Sequence, residues 1–149
     1  MATYNALDLN SKPQHLGEFG EANVPNGKVT PTAGGNGDIL RFTKIPAGSE
    51  VHAIVLANDD LDSNVTPLIA FKIGYTPVDG VNPAASDAYF VAAGDITLQA
   101  VNGGKVYSKF DPIKFEYDVF LILTLTAAAA TFAAGSVWAK ALTRNVGVK

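Results

Sequence analysis

The chain has no cysteine, so disulfides, thiolate metal sites and a cysteine nucleophile are all excluded. Its stability must come from packing or association. Histidine is nearly absent as well: His15 and His52 are the whole supply, too few for a cupin-like metal centre, which needs several clustered imidazoles and a carboxylate. Charge is sparse, at 17% of residues with a net charge of −3, and nowhere forms the concentrated basic footprint of a nucleic-acid binder. The opening stretch MATYNALDLNSKPQHLG lacks a basic head followed by an apolar core. The expectation is a chain made in a cytoplasm without a secretory signal.

What the chain does have is apolar material: 48% of its 149 residues are hydrophobic, enough for one globular domain and far from a disordered composition. The longest uncharged stretch runs over the 21 residues from Val119 to Ala139, long enough in principle to cross a bilayer as a helix. Its first part nevertheless alternates as a strand does, and is rich in β-branched and aromatic residues. Gly135 then interrupts it, and Val137, Ala139 and Ala141 alternate with Trp138, Lys140 and Leu142. Two strands are expected here, and no membrane span.

Residues 1–37 differ from the rest, being punctuated by Pro13, Pro25 and Pro31, closed by Gly34-Gly35-Asn36-Gly37, and without a long apolar period. An extended N-terminal arm is expected there, with residues 38–149 forming the domain. The arm's apolar residues Tyr4, Leu7, Leu9, Leu16, Phe19 and Val24 are the candidate contacts with a neighbouring subunit.

Beyond the arm, Ile39–Thr43, Val51–Ala57, Leu68–Tyr75, Tyr117–Thr126 and Ser136–Arg144 read as strands separated by Pro, Gly and Asn turns. The apolar run VHAIVLA predicts burial on both faces. In the next strand Ile69, Phe71, Ile73 and Tyr75 mark a core face. Asn82-Pro83 suggests a helix start and a short helical turn over Ala84–Tyr89. Ile96–Val101 and Val106–Phe110, divided by Asn102-Gly103-Gly104, form a hairpin candidate. The set predicts an all-β antiparallel sandwich, jelly-roll-like.

Chemistry is hard to assemble from these residues. Asp60-Leu61-Asp62-Ser63-Asn64 has the first oxygen ligands of a calcium loop, but Val65 stands where that loop needs Gly and Phe71 where it needs Glu. Asp59, Asp60, Asp62 and Asn64 are expected as a solvated acidic loop, and His52 as a structural imidazole. No Gly-x-Ser-x-Gly elbow occurs, and Asn102-Gly103-Gly104-Lys105 is too short for a phosphate loop. The expectation is no enzyme, no cofactor and no metal. Another use of a β-module is glycan or receptor binding on a fibre or spike, with Trp138, Tyr75, Tyr89 and Tyr107 as the stacking candidates.

The order of GDILRFTKIPAGSEV, VLANDDLDSN, a strand ending Ile73-Gly74-Tyr75, the Asp79-Gly80 turn and LTLTAAAATFAAG before a last strand resembles the jelly-roll decoration (cement) proteins of tailed-bacteriophage heads. The likeness covers about the last three-quarters of the chain. It implies a virion protein on the outer capsid surface that stabilises the shell by bridging capsomers. The implied partners are the major capsid protein and further copies of the chain, as a homodimer or homotrimer, with neither nucleic acid nor membrane involved.

Overall fold

Period-two alternation of apolar side chains becomes strand along most of the chain in the computed structural model, which describes residues 1–9 and 20–148. The strands are β1 (Thr3–Asn5), β2 (Ala22–Asn23), β3 (Asn26–Val29), β4 (Ile39–Ile45), β5 (Ser49–Asn58), β6 (Ala70–Pro77) and β7 (Ser86–Asp95). After a single 3-10 turn at Thr97–Gln99 come β8 (Asn102–Tyr107), β9 (Ile113–Lys114), β10 (Val119–Ala127) and β11 (Val137–Asn145). One sheet has the order β1-β4-β10-β6-β7. The other runs β2-β11-β5-β8, with β3 also on β11 and β9 also on β5. Every pairing is antiparallel except that of β1 with β4. This is the expected all-β, jelly-roll-like sandwich.

The core lies between the sheets. Ile69, Phe71, Ile73 and Tyr75 are all buried, as their alternation requires, and they meet Leu121 and Leu123 of β10 and Val137, Ala139 and Ala141 of β11. The long uncharged stretch is thus split into β10, a loop and β11. Among the described residues no helix is long and apolar enough to cross a membrane.

Two strand faces differ from expectation. Strand β5 is not buried on both sides: its register against β11 passes from Leu142↔Ala53 to Thr143↔Val51, leaving His52 as the extra residue of a β-bulge. The bulge lets both Val51 and Ile54 face inward while His52 is exposed, so the continuous apolar run serves one face. Strand β10 is the one buried on both sides, with Phe120 and Ile122 of its outer face covered. The Arg41 guanidinium lies 4.7 Å from the centre of the Phe120 ring, a cation–π distance.

Two local expectations also give way to tertiary pairing. Ala84–Tyr89 forms no helix; Ser86 pairs with Tyr75 and Val91 with Ile73 as β7 joins the sheet edge. Tyr89 and Phe90 then enter an aromatic cluster with Tyr75, Phe110 and Phe115, whose burial outweighs the weak stability of one isolated helical turn. Ile96–Val101 and Val106–Phe110 do not form a hairpin either. The first holds the 3-10 turn, with Leu98 fully buried, while Asn102-Gly103-Gly104 is itself strand, paired with β5.

The described parts of residues 1–37 lie along this chain's own sheets. Strand β1 runs parallel to β4, and β2 and β3 pair with β11, so the segment contributes to both sheets and buries Ala6, Leu9 and Val29. The contact is close where β3 passes β4: a Cβ on Gly27 would fall 1.9 Å from the Phe42 carbonyl oxygen. Only glycine permits that approach.

Candidate functional site

The arm residues chosen from the sequence have different fates. Tyr4 is partly buried against the core and Leu9 is buried, so both hold the arm to its own sandwich. Leu7 and Val24 are exposed, Leu7 completely. Leu16 and Phe19, with His15, lie outside the described residues.

Leu7 stands at the rim of a cleft of about 460 Å³ formed where the β1 segment crosses β3 and β11. Asn5, Asp8, Asn26, Lys28 and Trp138 line it, and the Lys28 ammonium sits 5.0 Å from the centre of the Trp138 ring, a cation–π distance. Of the four aromatics named for sugar stacking, only Trp138 faces this cleft. Tyr75 is buried in the aromatic cluster, and Tyr89 is half-buried there with its hydroxyl donating to the Asp111 carbonyl. The Tyr107 hydroxyl is 3.1 Å from Thr97 Oγ1, beside the Lys105–Asp95 ion pair.

The acidic loop is not solvated as expected. Asp62 is 1% exposed, and its carboxylate is saturated by backbone donors: Oδ2 accepts from Leu68, Ile69 and Ala130, and Oδ1 from Thr131. Burial alone would push this carboxyl up. The N–H groups of Thr131, Ala130, Leu68 and Ile69 outweigh it and hold the carboxyl well below the usual carboxylate range. Asp59 Oδ2 accepts from Ser136 N–H and Asp60 Oδ1 from Asp62 N–H, so all three carboxylates bind backbone. The sequence shows only a polar loop here; its function as a clamp depends on donors from the distant β10–β11 loop.

The clamp joins two loops at one end of the sandwich, residues 59–69 and 128–136. Further backbone bonds run from Ser63 N to Thr131 O, Ala133 N to Leu61 O and Ala129 N to Gly34 O, drawing residues 30–37 into the same end. The Gly34 backbone lies against the Phe132 ring there.

His52, expected as a structural imidazole, is on the surface with Nε2 3.6 Å from Glu50, which also binds Arg144 at 3.0 Å. Other carboxylates are similarly occupied: Asp118 pairs with Lys44 at 3.2 Å and Glu116 with Lys114 at 2.8 Å. Among the described residues no group of three or more His, Asp or Glu converges as a metal site.

No family model matches this chain, and no curated protein sequence matches it significantly. Its fold is similar to solved structures. A chain of the capsid of Ralstonia phage GP4 superposes with a TM-score of 0.80 over 99% of both chains, at 22% identity. A chain of the cyanophage Pam1 capsid asymmetric unit gives 0.69 at 24% identity, over 90% of this chain and 91% of that one. A third, from the acid-stable capsid of Helicobacter pylori bacteriophage KHP30, gives 0.60 at 12% identity, over 89% and 94%. At these identities the likeness is one of fold.

Proposed function

We propose that this chain is a structural protein of a tailed-phage virion that binds the outer surface of the capsid and stabilises it by bridging capsomers. The observation that carries this reading is the end-to-end match of the whole sandwich to a phage capsid chain, with 99% of each chain aligned. Such a role needs a shape-matched surface and no reactive group. Repetition over a symmetric shell turns modest single contacts into firm attachment by avidity.

The partners in this reading are the major capsid protein and other copies of the chain. Among the described arm residues, Leu7 and Val24 are exposed and able to meet a neighbour, since Tyr4 and Leu9 are engaged at home. Mixing the purified chain with heads that lack it tests the proposal. Saturable binding to the outside of the particle, with higher resistance to heat or osmotic shock, is the expected result. Heads that neither bind the chain nor gain resistance would refute it.

A further inference from the structure

Among the described residues two buried side-chain polar atoms lack a hydrogen-bond partner, Arg41 Nε and Thr124 Oγ1. They belong to one surface. The register of β4 on β10 sets Arg41 opposite Ile122 and Ile39 opposite Thr124, so Arg41 and Thr124 are diagonal neighbours on the outer face of the β1-β4-β10-β6-β7 sheet. Two further cations flank them, Lys44 opposite Phe120 and Lys72 opposite Thr124, and each has its own carboxylate, Asp118 at 3.2 Å and Asp87 at 2.6 Å. Arg41 has none. The chain's other arginine, Arg144, binds Glu50 at 3.0 Å, whereas among the described residues no ion pair or hydrogen bond engages the Arg41 guanidinium, which rests against the Phe120 ring.

Resting on the virion reading above, we propose that Arg41 is a docking residue whose partner is a carboxylate of the capsid shell. Its chemistry selects the occupant. A guanidinium offers five N–H donors and no acceptor, and it meets a carboxylate through two parallel hydrogen bonds. Because Asp118 and Asp87 neutralise the flanking lysines, one positive charge is left unpaired on this stretch of the face. That suits a single Asp or Glu side chain and is too little for a run of nucleic-acid phosphates or an anionic lipid surface. The Phe120 ring holds the guanidinium before contact, so less freedom is lost on binding. A partly buried cation and a buried hydroxyl without partners destabilise the free chain, and such breaches of the folding rules concentrate where a residue serves function. Arginine is also among the side chains that carry most of the binding energy at protein interfaces.

Binding of the full-length chain to heads that lack it, measured with the wild type, Arg41→Met and Lys140→Gln, tests the proposal. Thermal melts run alongside. Arg41→Met is expected to bind at least about tenfold more weakly, with less sensitivity to salt, while melting no lower than the wild type. Lys140→Gln removes the same charge from an exposed position on the other sheet and is expected to bind as the wild type. Should Arg41→Met melt lower, Arg41→Lys decides, since it keeps the charge and loses only the two-pronged fork: weaker binding is expected. Undiminished binding by Arg41→Met or Arg41→Lys, or an equal loss in Lys140→Gln, overturns the proposal and leaves the virion reading standing. A wild-type chain that does not bind heads overturns both.

Discussion

Asp62 Oδ1 accepts the backbone N–H of Thr131 at 2.8 Å, across 69 positions of sequence. With the three bonds to Oδ2, this one side chain ties together the loops at one end of the sandwich, beside the buried Leu61 and Ile69.

Asp62→Asn keeps the size but replaces one acceptor oxygen with a donor, so buried N–H groups lose their partner. A stability loss of about 3 kcal/mol is expected, read as a lower midpoint in urea with an unchanged slope. A variant as stable as the wild type would show that the clamp contributes nothing net.

Acid should weaken the wild type by way of the same group. Its folded pKa lies below its unfolded value of about 3.9, so the contribution is complete above that value and fades as pH falls through it toward the folded pKa. Melting temperature is expected to change little on this account from about pH 8 to about pH 5, then to fall below about pH 4. Asp62→Asn should flatten that acid limb; an equal fall in both proteins would assign it to other carboxylates.

Gly27→Ala places a methyl group against the Phe42 carbonyl, backbone on backbone, with no flexible side chain to move aside. A destabilisation of about 2–3 kcal/mol is expected from the displaced strand. The same substitution at Gly103, where a Cβ meets nothing within 4 Å, is the control that should be nearly silent.

Deleting residues 1–30 takes β1, β2 and β3 from both sheets and removes Leu9 and Val29 from the core, at about 1.5–3 kcal/mol each. A markedly lower melting temperature is expected, so any loss of head binding by the truncated chain must be judged against its folding. An unchanged melt would restore the picture of an independent arm.

Leu7→Asp separates docking from folding, because Leu7 is fully exposed and contributes nothing to the core. Stability should match the wild type within about 0.5 kcal/mol. Occupancy on heads is expected to drop; full occupancy would remove Leu7 from the contact.

The sequence was most legible where side chains alternate along one strand. Ile69, Phe71, Ile73 and Tyr75 announced a buried face, and they form one. The continuous run of β5 misled because a single extra residue, His52, reverses the alternation, and a bulge is a property of two paired strands. The candidate site was less legible. Leu7 was visible as an apolar residue in a segment without apolar period, but nothing near it distinguishes it from Leu9, which the fold buries.

From its own residues the chain settled that it would be a β-protein without thiol or clustered-imidazole chemistry, since pleat periodicity and amino-acid supply are local or compositional facts. Only the tertiary structure decided that Asp62 would be a buried clamp, that the described parts of the first 37 residues would pair with both sheets, and which apolar side chains would remain outside. Each of these depends on groups far away in sequence that supply a hydrogen bond or cover a surface, and no local pattern encodes where such a partner will be.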